Sequence, residues 1–515
     1  MCGIIAVMRR SSGRKPPAPG DLRSRMLLAE VALAEASASE RLISEDLERA
    51  YDHLVAVDAR LRGTPGLQCL LRHPDLVVEF DERTRRLADT IGDLEHSVDT
   101  GVRELDGNLE VVNARLLKMK DAVWAIRIDR LGHARAVAQL AGSDASPAGV
   151  EAFSAIELAL SALNRLEVRG RDSAGLHLLV WDHGLPLTEL SATLEERSDP
   201  LCRNLAVRTP LGHLTFVYKV AREVGELGDN TRYLRETITG DALLRRALEN
   251  DRARLTVLGH TRWASVGLIN EANAHPVDQE EVNGPGMPFV VAALNGDVDN
   301  HRAIADGQGL RIPAEITTDA KVIPSLMARE IARGSMPQEA FRRTVDQFDG
   351  SVAIGAVSAL EPSTLMLALR GSGQTLCVGV AEDVYVVASE PYGVVEVTAH
   401  YLRMDGEAVS DVDGSQGQVV VLNAEDAGRA DRIRRSTYAG AALPVRAEEL
   451  LTTDITTRDI DRGSHRHFFL KEISESPITM RKTLRGRIRE VDGRKRVRLG
   501  ADTVPPVCGI ASVRA

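Results

Sequence analysis

The chain opens Met1-Cys2-Gly3-Ile4-Ile5-Ala6-Val7-Met8. A small residue in second place lets the initiator methionine be trimmed, which would leave Cys2 with a free α-amino group beside its thiol. An α-amine titrates near ~7.7 to 8.0 and a free thiol near ~8.5, so close to neutrality the amine can take the thiol proton directly or through one water. One residue then supplies both nucleophile and base, one of the recurring ways of activating a nucleophile. The run from Gly3 to Met8 is small and apolar, as a buried central strand is, and it would hold the cysteine rigidly at the end of a sheet. On these residues alone an ordinary first strand with an incidental cysteine is the better reading. The choice between the two rests on motifs further along.

Composition narrows the classes. At 515 residues, 43% hydrophobic and 27% charged, the chain has the make-up of a soluble globular protein of about two to four domains. It has no apolar run of about 18 residues, and the first strand is too short for a signal-peptide core, so no membrane and a cytoplasmic location are expected. Five scattered cysteines (Cys2, Cys69, Cys202, Cys377, Cys508) with no CxxC pair suit a reducing compartment. A net charge of −10 and only 3% aromatic residues argue against nucleic acid as a partner.

Residues 9–21 form a Pro/Gly/basic linker, and from Leu22 the apolar period changes. Leu22, Met26, Ala29, Leu33, Ala36, Glu40, Ile43, Leu47, Ala50, Leu54, Val57 and Leu61 alternate steps of four and three. After a stretch at 62–86 that Gly63, Pro65, Gly66 and Pro74 are expected to interrupt, a second seam runs from Leu87 to Ile126. Two such seams predict an antiparallel coiled-coil hairpin of helices about 60 Å long at ~1.5 Å per residue, an arm for self-association or docking. Residues 141–149 close this insertion, and a helix over Phe153–Leu166 leads to a strand at 177–181.

The motifs then follow in order. They are LNRLEVRGRDSAG (163–175), LGHTRWASVG (258–267), NAHP (273–276), LNGDVDNH (294–301) and TTD (317–319), with HFFLKEISESPITMRKTLRGRI (467–488) near the end. Together with the N-terminal stretch they resemble the class II glutamine amidotransferases, most closely the glutaminase part of the glutamine–fructose-6-phosphate aminotransferases (glucosamine-6-phosphate synthases). The resemblance covers residues 1–8 and about 151–490. It implies an α+β fold, the four-layer αββα N-terminal-nucleophile hydrolase sandwich, carrying the long helical insertion. Its implied domains are a glutaminase from 1–8 and 151–460 with an insertion near 185–250, the helical segment 9–150, and a linker at 461–515 leading toward a sugar isomerase.

The activity implied is attack of Cys2 on the glutamine carboxamide, release of ammonia, and hydrolysis of the γ-glutamyl thioester. By the same match Asn295 and Gly296 form the oxyanion hole, though alone they would read as an Asn-Gly hairpin turn. Arg262 resembles the guanidinium that holds the substrate α-carboxylate, a task its planar fork suits, and Asp319 the carboxylate that receives the ammonium. Read without the match, Arg262 is a surface charge and Asp319 a helix N-cap. Trp263 resembles the loop tryptophan that covers the site, next to Ser265, and His275 a loop-orienting residue beside the substrate. Ser265 and Val266 depart from the Thr-His usual in the family, and Leu294 replaces a polar residue.

No cofactor is implied. His260 and His275 lack the spacing of metal ligands, so no metal site is expected, and GSGQTLCVG (371–379) lacks the lysine of a phosphate-binding loop. Short strands over 351–409 are expected in the second sheet. No isomerase domain fits the 29 residues after Gly486. Three readings stay open: the isomerase is a separate subunit docking here, the chain is a truncated product, or the ammonia serves another acceptor. The retained linker favours the first two. Homo- or hetero-association through residues 22–126 is expected, and from a different class of function, a scaffolding protein acting through its coiled coil is the alternative.

Overall fold

Ile4, Ile5, Ala6, Val7 and Met8 are all fully buried, so the strand Gly3–Arg9 needs cover on both faces and a neighbour on both edges. The computed structural model supplies both, and describes residues 2–39, 41–99, 104–106, 109–142, 145–222, 226–282, 286–484, 488–491 and 494–497. The strand runs antiparallel to Arg254–Arg262 on one side and to Val384–Ala388 on the other. Gly3 faces Thr261, Ile4 faces His260, and Ile5 faces Gly259 and Ala388.

The chain divides into two compact units, Met1–Pro19 with Arg60–Val77 and Arg127–Asp459, and Gly20–Ala59 with Val78–Ile126 and Ile460–Ala515. In the first, a nine-stranded sheet has the order Leu450–Thr452, His400–Arg403, Cys377–Ala381, Val384–Ala388, Gly3–Arg9, Arg254–Arg262, Ser173–Trp181, Leu214–Ala221, Val207–Arg208. A six-stranded sheet has the order Arg434–Ser436, Gln418–Asn423, Thr364–Arg370, Val352–Ser358, Val290–Gly296, Val277–Asp278. Every ladder in both sheets is antiparallel.

The period-two alternation of these strands tells which face meets what. Ile4, Ala6 and Met8 join Leu258, Val291, Ala293, Ala353, Val357, Leu365 and Leu367 in one apolar core between the sheets. Val290, Ala292 and Leu294 point the other way, onto the helices Val322–Ala332 and Pro337–Asp346. Behind the larger sheet lies the helix Pro147–Leu166, whose Leu163 and Leu166 press on Gly259 and Gly3. The helix is longer than its apolar spacing suggested because Ser146 caps it, its Oγ accepting from Gly149 N–H at 3.0 Å, and Pro147 stands in its first turn. Helix, sheet, sheet and helix are thus stacked around the first strand.

The strands at 351–409 do not share one sheet, contrary to expectation. Val352–Ser358 and Thr364–Arg370 lie in the six-stranded sheet, while Cys377–Ala381, Val384–Ala388 and His400–Arg403 build the larger one beside the first strand. All but His400–Arg403 are apolar on both faces, so alternation could not assign them. Within 185–250, Leu214–Ala221 is an inner strand of the larger sheet, paired with both Ser173–Trp181 and Val207–Arg208.

In the second unit the two apolar seams are real but the two long helices are not. The seams fall on the helices Pro19–Ala38, Ser44–Leu61, Pro74–Asp99 and Leu109–Trp124. Leu22, Met26, Ala29, Leu33, Leu47, Leu54, Leu87, Ile91, Val112 and Leu116 are buried, as their spacing requires. Arg49 reaches back to Glu35 at 3.2 Å, and Lys120 pairs with Glu95, so each seam folds into its own helical hairpin. Arg23 pairs with Glu79 at 2.7 Å and Arg83 with Glu30 at 2.7 Å, while Arg115 pairs with Glu48 at 2.8 Å, which sets the hairpins side by side. The turns themselves meet in a short parallel ladder of Arg41–Ile43 with Glu104–Asp106.

Among the described residues the seams thus lie on four helices and not on two long ones. The first break follows Ser37 and Ser39, weaker helix formers, and precedes Ser44-Glu45-Asp46, a helix-start signal. Conversely, the interruption expected at 62–86 is helical over Gly63–Arg72 and again from Pro74, because both prolines stand in first turns, where a missing N–H costs nothing. Glu40 and Val102 of the seams, and the C-terminal stretch 504–515 with Cys508, lie outside the described residues. Among those described, Cys2, Cys69, Cys202 and Cys377 are in no disulfide, no cluster of metal-ligating side chains is present, and no helix is long and apolar enough to cross a membrane.

Candidate active site

Cys2 stands immediately before the central strand and is half-buried. Its Sγ accepts a hydrogen bond from the Trp263 N–H at 3.3 Å, and its carbonyl accepts from Arg169 Nε at 3.1 Å. Trp263 follows the neighbouring strand, and Gly170 makes this approach possible, since a Cβ there would sit 2.6 Å from the Trp263 nitrogen. Burial pushes the Cys2 thiol up from its ordinary range, while the Trp263 N–H and the Arg262 charge oppose the rise.

Asn295 and Gly296 close the strand Val290–Gly296, paired with Ala353 and Val352, so they are ladder residues and not a hairpin turn. Gly296 has φ +84°, and a Cβ there would meet the Ser351 carbonyl oxygen at 1.9 Å. The Asn295 side chain is fully buried. His260 Nε2 lies 3.0 Å from its Oδ1, and its Nδ2 donates to Ser389 Oγ at 2.7 Å. Burial pushes His260 down to about 3, so the ring is neutral, and because Oδ1 can only accept, Nε2 carries the ring proton.

Arg262 ends the strand beside the first and is only 2% exposed, which excludes a surface charge. Its Nη1 donates to the Leu268 carbonyl at 2.9 Å and its Nη2 to that of Val266, so the guanidinium anchors the loop that carries Trp263 and Ser265. Burial works against its charge, and Cys2, Asp319 and Asp172 nearby support it. Asp319 is buried in a 3-10 turn, Asp319–Lys321, that runs into the helix Val322–Ala332. It is not the N-cap. Thr318 holds that position, and Asp319 Oδ2 instead accepts from the Val298 N–H at 2.8 Å. Burial pushes its carboxyl up, against that hydrogen bond.

The remaining candidates divide. Trp263 is 56% exposed on the loop, and Ser265 Oγ donates to Asp297 Oδ1 at 2.6 Å, one residue beyond Gly296. His275 is buried with both ring nitrogens engaged by the protein, Nδ1 at 3.2 Å from the Leu294 carbonyl and Nε2 at 2.9 Å from Thr318 Oγ1. It therefore props the segments before Asn295 and Asp319. Cys2, Arg262, Asn295, Gly296 and Asp319 are brought to one end of the two sheets, Cys2 and Arg262 from the larger, the rest from the smaller strand and the turn that follows.

Several residues at the site were not singled out. Asn273, at the start of NAHP, accepts on Oδ1 from the Thr317 and Thr318 N–H groups at 2.7 and 2.9 Å, and so holds the approach to Asp319. Asp172 Oδ2 accepts from the Ala264 N–H at 3.0 Å. Asn273 and Asp172 lie inside the quoted motifs, which was the available signal. Ser389 had none.

No family model matches the chain. Among curated proteins, the glutamine–fructose-6-phosphate aminotransferase (isomerizing) of Bacillus anthracis is 29% identical over 241 residues, 47% of this chain and 36% of that protein. The enzyme of the same name from Geobacillus kaustophilus is 26% identical over 329 residues, 64% of this chain and 42% of that protein. Over about half its length this chain is their homologue. It spans 36 to 42% of the length of these relatives. Among solved structures, the glutamine phosphoribosylpyrophosphate amidotransferase of B. subtilis complexed with ADP and GMP matches at 16% identity and a TM-score of 0.35, covering 55% of this chain and 47% of that one.

Proposed function

We propose that the first unit is a glutaminase of the class II amidotransferase type, with a four-layer αββα N-terminal-nucleophile fold over residues 1–8 and 151–460. The observation that carries the reading is the convergence of Cys2, Arg262, Asn295 and Asp319 at one end of the paired sheets. With Met1 removed, the Cys2 α-amine takes the thiol proton and the thiolate attacks the glutamine carboxamide. The Asn295 Nδ2–H and the Gly296 N–H receive the charge that develops on the carbonyl oxygen, a contribution typically worth about 2.7–4 kcal/mol per donor. Arg262, with two of its five N–H groups on the loop, offers the others to the substrate α-carboxylate, and Asp319 takes the ammonium.

Ammonia leaves and water hydrolyses the γ-glutamyl thioester to glutamate. The Trp263 loop covers the bound substrate, and the Ser265–Asp297 hydrogen bond links that loop to the oxyanion donors. In this reading the ammonia passes to a sugar-phosphate acceptor handled by an isomerase, in keeping with the names of the relatives. The helical unit, including residues 461–484, serves as the docking part. Release of glutamate from glutamine by the purified chain, compared with Cys2→Ala, tests the proposal. Equal rates in the two would refute it.

A further inference from the structure

We propose that Ser389 and His260 are positioning residues that aim the Asn295 amide, and that Ser389 does so by joining the strand that bears the nucleophile to the sheet that bears the oxyanion donor. This deepens the glutaminase reading and rests on it. Ile4, two residues after Cys2, lies between two strands. On one side it faces His260 in the ladder, and on the other its N–H donates to Ser389 Oγ at 2.8 Å while its carbonyl accepts from the Ser389 N–H at 3.1 Å. Both neighbours reach across the gap between the sheets to the same side chain, His260 to Asn295 Oδ1 at 3.0 Å and Ser389 to Asn295 Nδ2 at 2.7 Å.

A primary amide has one carbonyl oxygen and two N–H groups. The oxygen and one N–H of Asn295 are held by these contacts, so one N–H is left and its direction is fixed. All three side chains are buried, with Asn295, His260 and Ser389 each 0% exposed, so no bulk water competes for these groups. Ser389 Oγ accepts from the nucleophile strand and from the oxyanion donor at once. A shift of either sheet relative to the other must break one of these two hydrogen bonds, so the hydroxyl sets the distance from Cys2 to the donor. His260 contributes the complementary restraint on the amide oxygen, and its neutral state makes it a single-proton donor at every pH at which the enzyme would work.

The test compares Ser389→Ala, His260→Gln and His260→Leu with the wild type in two reactions of Cys2: glutamine hydrolysis, which develops an oxyanion, and alkylation by iodoacetamide, which does not. Ser389→Ala is expected to lower kcat by roughly tenfold to a hundredfold with KM for glutamine and the alkylation rate within about threefold. His260→Gln, whose side-chain N–H can take the place of Nε2, is expected to keep about tenfold more kcat than His260→Leu. Unchanged kcat in Ser389→Ala, or a parallel fall of turnover and alkylation, overturns the proposal. If Ser389→Ala does not fold, the two His260 variants decide, and equal kcat in them overturns it. A wild type that is alkylated at Cys2 yet releases no glutamate overturns the glutaminase reading itself, and the proposal with it.

Discussion

Substituting Gly296 by alanine separates two costs that the geometry places at one residue. The backbone there has φ +84°, where an L side chain costs about 1–2 kcal/mol. The new methyl would also stand 1.9 Å from the Ser351 carbonyl oxygen. That oxygen is backbone at the end of the ladder in which Gly296 faces Val352 and Asn295 faces Ala353, so it cannot swing aside as a side chain would. Moving it loosens one or two ladder hydrogen bonds, each worth about 0.5–1.5 kcal/mol. The total comes to roughly 2–5 kcal/mol. Gly334 supplies the control, since it has φ +99° at the end of the Val322–Ala332 helix but nothing within 4 Å of its Cβ position, so alanine there meets only the conformational cost. Urea unfolding of the two variants, followed by far-UV circular dichroism, measures the difference. Gly296→Ala should be the less stable by at least about 1 kcal/mol and should also lose glutamine turnover. Equal destabilisation would refute the claim that the strand end is fixed against Ser351.

Asp129, buried with both carboxyl oxygens 2.8 Å from Thr457 Oγ1, is pushed up to about 7, chiefly by burial, with Arg130 opposing and Glu396 adding. Its folded form holds a proton that the unfolded chain has lost, so stability falls as pH rises from the ordinary 3.8 to about 7 and is level above that. Asp129→Asn should therefore match the wild type near pH 4 and exceed it by about 2–4 kcal/mol at pH 8, read from denaturation midpoints. Lys219 is fully buried with no hydrogen-bond partner for Nζ, and burial holds its pKa below the ordinary lysine value. The wild type should gain stability as pH rises toward the ordinary lysine range, and Lys219→Met should be more stable at pH 7 by about 1–3 kcal/mol, with that gain shrinking at higher pH. Arg262→Lys keeps the charge but loses the planar fork, and should raise KM for glutamine about tenfold to a hundredfold in steady-state assays.

What could be read ahead of the structure was what local pattern encodes. The continuous apolar run after Cys2 gave a strand buried on both faces, and the motif order brought Cys2, Arg262, Asn295 and Asp319 together. The seams from Leu22 and Leu87 marked buried helix faces correctly, but a heptad continues equally well through a turn when its residues are re-used by a hairpin. Among the described residues the fold-back is seen in the ion pairs Arg49–Glu35 and Lys120–Glu95. Strands apolar on both faces gave no sign of which sheet they join. Ser389 lies 385 residues from Ile4 and 94 from Asn295, and a serine after an apolar strand carries no local mark of two such partners. Asp319 was recognisable as a helix-start carboxylate, yet its hydrogen bond goes to Val298, which only the packing of the turn against the strand end determines.

The central claim is that Cys2, as the first residue of the mature chain, is the nucleophile toward glutamine. Incubating the purified protein with a glutamine analogue that carries an electrophile in place of the carboxamide, then measuring intact mass and mapping the modified peptide, tests it most directly. The account predicts one adduct, on Cys2 of a chain lacking Met1, with glutamate release abolished in proportion and protection by glutamine. An unmodified chain, or an adduct on Cys69, Cys202 or Cys377 with turnover intact, would contradict it.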